Sequence, residues 1–304
     1  MNVDPVELAA QLADEVDGQI RTVRPLAPFT SYKIGGPTAV WVAPVTNAGV
    51  GRALGIIHEK KAPLFILGRG SNLLVSDHGW DGVTLYLGEN FSNSTFDRRQ
   101  AKVLAGTLLM DFIRAAVKRG LSGLELLAGI PGGVGGALRM NAGAFGQEIE
   151  QVTLSVSGFR WDGAPFCADR RNINFDYRRV PQLDRVVITS ALFQFREEDA
   201  GASRARMEDI LELRAGKQPL SYPSCGSVFK RPAGYYAGAL IEETGLKGKR
   251  IGGAMISQKH AGFILNVDNA KAADVYALIQ LIEAKVLDRF GVRLEREVKL
   301  IGEF

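Results

Sequence analysis

Only two cysteines and three histidines occur in 304 residues. Cys167 and Cys225 show no CxxC spacing and make no disulfide framework, which fits a reducing compartment and argues against structural zinc. His58, His78 and His260 lie far apart, and no G-x-S-x-G elbow surrounds Ser227, so both a Ser-His-Asp hydrolase and a histidine-based metal site are disfavoured; no metal is expected. No run of about 18 apolar residues is present, and no basic stretch followed by an apolar one opens the chain. Neither membrane insertion nor secretion is therefore expected, and the chain reads as cytoplasmic. Charge of one sign is also scarce: 37 Lys and Arg stand against 33 Asp and Glu, a net +4 without a basic block. That balance gives nucleic-acid binding no support and suits small anionic ligands better. Internal repeats and low-complexity tracts are missing too, and the length suggests two or three domains with sizeable cores.

What the chain has is glycine. Residues 129–146 read GIPGGVGGALRMNAGAFG, seven glycines in eighteen positions. Glycine loses more conformational freedom on folding than any other residue and adds nothing to packing, so such a cluster marks close approach of main chain to a ligand, or φ > 0 corners. A row of unhindered N–H groups is also the usual means of holding phosphate oxygens. A flexible linker would carry Ser and Lys where this segment carries Ile130, Val134, Leu138, Met140 and Phe145.

Around that segment the pattern is α+β. Asp4-Pro5-Val6-Glu7 predicts a helix over 5–15. Short β-like runs between Val40 and Leu87 enclose a helical stretch near 50–60; a strand at 102–105, a helix over 108–119 stopped by Gly120, and strands near 152–159 and 186–195 come next. The polar stretch 197–203 is the best linker candidate. After it come a helical pattern at 204–215, a helix from about 270 to 290 ended by Gly291, and an alternating terminal strand that sends Arg293, Glu295, Glu297 and Lys299 to one side.

Gly68-Arg69-Gly70-Ser71-Asn72 follows an apolar strand, but Leu73 stands where a dinucleotide fingerprint needs its third glycine and residues 73–87 read as strand, not helix, so a Rossmann unit is not expected. The loop can still present N–H groups to a pyrophosphate, and a hairpin turn is the plain alternative. Ser227 in PSCGSVFK is either a hairpin turn residue or a small hydroxyl placed for chemistry. In Asp176-Tyr177-Arg178-Arg179 the two arginines diverge on a strand, so at most one faces any site; an ion pair with Asp176 or Asp184 is the default for either. Glu297, on an alternating strand, needs no function to explain it.

Taken together, GRGSNLL at 68–74, IPGGVGGALRMNAGAFG at 130–146, DYRR at 176–179, PSCGSVFKRP at 223–232, KHAGF at 259–263 and EREVKLIG at 295–302 resemble, in order and over nearly the whole chain, the UDP-N-acetylenolpyruvoylglucosamine reductases. The resemblance implies an α+β fold: a two-part FAD-binding region of the vanillyl-alcohol-oxidase (PCMH) type plus a C-terminal α+β substrate domain. The division implied is 1–88, 89–199 and 200–304, with the last strand packing back on the first part. The implied activity uses NADPH and non-covalent FAD to reduce the enolpyruvyl ether of UDP-N-acetylglucosamine to UDP-N-acetylmuramate, for peptidoglycan.

The same resemblance assigns roles. Ser227 would give a proton to C2 of the reduced enolpyruvyl group. Arg178 would pair with the developing enolate through a charge-assisted contact worth roughly 1.5–3 kcal/mol. Glu297 would orient or polarise that intermediate, acting protonated or through Arg178. Gly68, Arg69, Gly70, Ser71, Asn72 and Leu73, with Pro131, Gly132, Gly133, Gly135, Gly136, Asn141, Ala142, Gly143 and Ala144, would cradle the FAD. Lys217, Lys230, Arg231, Lys259 and His260 would face the UDP phosphates. The short stretch between Arg178 and Phe195 resembles the subclass without the insertion whose tyrosine covers the substrate, and Arg231 stands where many members have Asn. An FAD-dependent oxidase of the same fold, usually needing a His or Cys for covalent flavin attachment, and a nucleotide-sugar binding protein without chemistry are the alternatives.

Overall fold

The computed structural model describes residues 1 and 3–304. The chain forms two compact units, one of Met1–Arg24, Ala39–Arg69 and Gly82–Leu213, the other of Pro25–Thr38, Gly70–Asp81 and Arg214–Phe304.

The first unit contains two larger sheets and two short two-stranded ones. Strands Gly18–Pro25, Pro37–Pro44, Trp80–Tyr86 and Leu64–Leu67 lie side by side in that order, the last two parallel. Helices Pro5–Glu15 and Asn47–Glu59 join them over a core that includes Val40, Val42, Leu54, Ile57, Val83 and Leu85. Both helices start where the residue types predict: Asp4 accepts from Val6 N at 2.7 Å, and Thr46 Oγ1 accepts from Gly49 N at 2.9 Å. In the second sheet Pro165–Asp169, Thr153–Arg160, Val186–Gln194, Gln100–Leu104 and Ser94–Asp97 are antiparallel neighbours. Helix Leu109–Val117 buries Phe112 against Phe193, their rings 5.1 Å apart, and stops before Gly120 at φ +68°. Residues 197–203, polar enough to suggest a linker, instead open the helix Ala200–Lys217: Asp199 Oδ1 accepts from Ala202 N, and Ser203 is buried with its hydroxyl on Glu198. Small polar residues suit a helix N-terminus as well as a linker.

In the second unit three short antiparallel strands, Arg250–Ile251, Ala254–Ile256 and Ile264–Asn266, pack on helix Ala272–Phe290. Val275, Leu278, Ile279, Ile282 and Val286 supply its buried face, as the 3.6-residue spacing predicts, and Gly291 at φ +67° ends it. The terminal strand is shorter than its alternation suggests: only Lys299–Ile301 is regular, paired in parallel with Leu73–Val75. The residues before it attach to the 228–230 segment instead. Glu297 N and Val298 N both donate to Val228 O, and this doubled bond breaks the ladder.

The α+β class implied by the sequence is the class observed. Among the described residues no helix is long and apolar enough to cross a membrane, and no group of three His, Cys, Asp or Glu residues is placed to hold a metal ion.

Candidate active site

The glycine segment is sewn to the 105–109 loop. Leu109 N donates to Gly132 O (3.0 Å), Val134 N to Thr107 O (2.9 Å) and Gly135 N to Ala105 O (2.8 Å), while Arg69 Nε donates to Gly106 O (2.9 Å). Two N–H groups at the start of helix Val134–Arg139 are thus committed inside the protein. Packing explains two of the glycines, since a Cβ on Gly133 would lie 2.8 Å from Ala105 O and one on Gly135 would lie 2.7 Å from Ala105 Cβ. Gly132, at φ +118°, is required by its backbone.

Gly136 and Gly68 have no such reason. A Cβ on either would meet no atom within 4 Å, and neither has positive φ. A glycine in a helix costs about 0.5–1 kcal/mol relative to alanine. Gly55 is equally open, so openness alone decides nothing. What distinguishes Gly68 and Gly136 is their place on either side of the seam where a Cβ on Gly133 would lie 3.5 Å from Arg69 Cγ. Bare backbone on both sides of one seam fits a flat, phosphate-bearing cofactor such as FAD. On the second unit's side of this loop, Gly70 at φ +62° has Phe29 O only 2.1 Å from where a Cβ would stand, so that glycine is fixed by the protein. Ser71 is half-buried, and Asn72 Nδ2 donates to Glu297 O at 3.1 Å.

Backbone strain concentrates in one part of the first unit. Eight non-glycine residues among those described have positive φ, and three of them, Asn141 (41°), Phe145 (52°) and Arg178 (58°), meet here. Phe145 and Gly146, at φ +52° and +80°, form the two-residue turn of a hairpin in which Ala144 faces Gln147 and Gly143 faces Glu148. Asn favours such a turn, Phe does not, and Phe145 is exposed. Arg178 sits in a second tight turn, closed by Asp176 N donating to Arg179 O (2.8 Å) and Arg179 N to Asp176 O (3.3 Å). Its guanidinium donates to Gly143 O at 3.0 Å, while Arg179 takes the exposed ion pair with Asp184 (3.5 Å). The two arginines therefore diverge, in a tight turn and not on the strand that was expected, and Arg178 is the one facing the glycine hairpin. Strain in bulky residues persists where function holds it.

Asn141 is fully buried. Its Nδ2 donates to Glu148 Oε2 (2.7 Å) and lies 3.4 Å from Asp176 O. Ala142 is buried beside it, Gly143 and Ala144 are half-buried in the hairpin, and Pro131 is exposed.

The second unit carries Ser227 and Glu297. Gly226, at φ +82°, makes the corner that leaves Ser227 exposed while Val228 and Phe229 are buried. Ser227 bridges to Phe263, Val228 N donates to Gly262 O (3.0 Å), and Phe229 bridges to Arg296. The serine's strand is thus fixed on both edges, and Glu297, whose N–H donates to Val228 O (2.8 Å), lies alongside it. Cys225, two residues before Ser227, is not a competing nucleophile: burial pushes its thiol up to about 12, with the Glu297 charge adding to the push.

Among the five residues expected at the UDP phosphates, Lys230 forms an ion pair with Glu295 and Arg231 stacks on the Tyr236 ring at 4.0 Å. His260 is turned inward: its Nδ1 accepts from Gly262 N (3.1 Å), and burial lowers its pKa. Lys217 is exposed at the end of its helix. Lys259 Nζ donates to Ala215 O (2.6 Å) at the edge of a 510 Å³ cavity lined also by Gln218, Tyr222, Met255 and Gln258. Glu148 is a residue that the sequence did not single out, and Asp176 entered only as a default ion-pair partner; the GAFGQE hairpin at 143–148 is the signal that points to Glu148.

Residues 38–164 match the family described as an FAD binding domain, and residues 218–301 match the C-terminal domain family of UDP-N-acetylenolpyruvoylglucosamine reductase. Proteins named UDP-N-acetylenolpyruvoylglucosamine reductase from Syntrophomonas wolfei and Pediococcus pentosaceus are 42% and 43% identical to this chain, each over 94% of it and 96% and 95% of their own length. The crystal structure of the reductase from Thermus caldophilus superposes with a TM-score of 0.80 at 35% identity, covering 94% of this chain and all of that one. The chain belongs to the UDP-N-acetylenolpyruvoylglucosamine reductase family and is an FAD-dependent oxidoreductase.

Proposed function

We propose that the protein reduces the enolpyruvyl ether of UDP-N-acetylglucosamine-enolpyruvate to UDP-N-acetylmuramate, with NADPH as electron source, in the cytoplasmic synthesis of peptidoglycan precursors. The observation that carries this reading is Arg178, a bulky cation kept at φ +58° and aimed at the glycine hairpin, in a chain of this family. A residue that costs on the order of 1–2 kcal/mol of backbone strain where glycine or asparagine would cost little is retained for its side chain.

FAD, when bound, supplies the two-electron reduction of the alkene. Main chain at Gly68–Leu73 and Pro131–Gly136 holds it, with Gly68 and Gly136 leaving room for it. Asn141–Ala144 line the same segment. Arg178 pairs with the substrate carboxylate and stabilises the charge that accumulates there as the alkene is reduced. Ser227 gives its hydroxyl proton to C2, and the basicity of the intermediate makes so weak an acid sufficient. Glu297, held beside the serine's strand by its backbone, orients that transfer. Of the cations, Lys217, exposed at its helix end, and Lys259, whose side chain lines the 510 Å³ cavity, are the better candidates for the UDP phosphates, whereas Lys230 and Arg231 face Glu295 and Tyr236 and His260 is turned inward. Residues 1–88 and 89–199 serve the flavin, and 200–304 serve the substrate.

Turnover in deuterated water tests this. The holoenzyme should oxidise NADPH and consume the enolpyruvyl substrate one for one, and the product should carry solvent deuterium at C2. NADPH oxidation that is insensitive to the substrate would reject the proposal.

A further inference from the structure

We propose that Asn141 is a positioning residue for Arg178, acting through the turn at Asp176–Arg179 and the hairpin at Gly143–Glu148. This rests on the proposed role of Arg178 as partner of the substrate carboxylate.

The plain explanation of Asn141 is a helix cap. It follows Val134–Arg139, its N–H donates to Leu138 O (3.1 Å), and asparagine tolerates its φ of +41°. That accounts for the backbone and leaves the side chain unexplained, since glycine would cap as well. Nδ2 faces two acceptors, Glu148 Oε2 and Asp176 O, so the amide can point only one way round. Oδ1 is then buried without a hydrogen-bond partner. An unsatisfied buried acceptor costs stability and offsets part of what the Nδ2 contacts contribute, so the side chain is a poor choice for stability alone.

The two groups it grips are the two supports of Arg178. Asp176 is the first residue of the turn that sets the Arg178 backbone, and Glu148 stands opposite Gly143, whose carbonyl holds the guanidinium. Gly143 permits this closeness, because a Cβ there would lie 2.8 Å from Glu148 Cγ. One buried amide therefore ties the backbone end of Arg178 to the element holding its charged end. Loosening that tie leaves the arginine present and its geometry undetermined, and a misplacement of about 1 Å in such a group can cost on the order of 100-fold in rate.

Asn141→Gly keeps the cap and removes the amide. In the holoenzyme, substrate-driven reoxidation of the flavin that stays bound should slow by at least about tenfold. In an Arg178→Ala background the same change should have no further effect on reoxidation, since the group being positioned is gone. Glu148→Ala, which breaks the other half of the clasp, should slow reoxidation in the same way and covers the case in which Asn141→Gly does not fold. Reoxidation within twofold of wild type in either folded variant, or a full additional loss in the Arg178→Ala background, would overturn the proposal. If Arg178→Ala itself reoxidises normally, the reading of Arg178 falls, and the role of Asn141 with it; if Arg178→Ala is slow and Asn141→Gly is not, only the inference about Asn141 falls.

Discussion

Ser227 is an ordinary hydroxyl in a chain poor in acids that titrate near neutrality, and its placement separates it from the other serines. Gly226 turns it outward while Val228 and Phe229 anchor the strand behind it, so its position is set by its backbone bridge to Phe263 and by burial of its neighbours. Ser227→Ala should leave NADPH-driven bleaching of the flavin intact and slow reoxidation by substrate by about 10²–10⁴-fold, the usual worth of a positioned proton donor. Stopped-flow measurement of the two half-reactions checks it, and equal losses in both would remove Ser227 from that role. Little of this was legible from residue types, since a serine after Cys-Gly reads equally well as a turn residue. Only the six motifs in order gave it a function. The cations show what residue types leave out. Lys230 and Arg231 look like phosphate ligands in sequence, yet Glu295 and Tyr236 occupy them, and nothing local announces a partner 65 residues away.

Elements were read more reliably than side chains, because helix caps and apolar spacing are local. Asp4, Gly120 and Gly291 each stand where a helix begins or ends. The stretch 197–203 misleads for the reason that makes it polar: Asp199 and Ser203 cap and anchor a helix, and Arg206, one turn on, joins Glu198 to the buried Glu125 at 2.7 Å. In the glycine segment density alone pointed to a ligand, but the reasons differ residue by residue, and Gly136 is the one there without an internal reason, as Gly68 is without one in the earlier loop. Gly136→Leu should consequently fold, with a thermal midpoint of the cofactor-free protein equal to or above wild type, since the change removes a helix penalty of about 0.5–1 kcal/mol. The same variant should bind FAD at least tenfold more weakly, because the new side chain fills the cradle. Unchanged flavin affinity by fluorescence titration would mean that Gly136 does not face the cofactor.

At the scale of the molecule, the order of segments along the chain hides how they combine. Residues 25–38 and 70–81 belong to the same compact unit as the last ninety residues, and Lys299–Ile301 finds its parallel partner at Leu73–Val75. No periodicity in a single sequence specifies a pairing across such a separation, whereas an alternating pattern does mark the strand itself. That pairing matters for chemistry, since it sets Glu297 beside both Asn72 and the strand of Ser227. The proposed activity requires a non-covalently bound flavin that takes electrons from NADPH and delivers them to an enolpyruvyl ether. An anaerobic titration of the purified holoenzyme measures this directly: the oxidised-flavin absorbance should bleach with one equivalent of NADPH and return fully when one equivalent of UDP-N-acetylglucosamine-enolpyruvate is added. A flavin that bleaches but recovers its colour only when oxygen is admitted would contradict the claim.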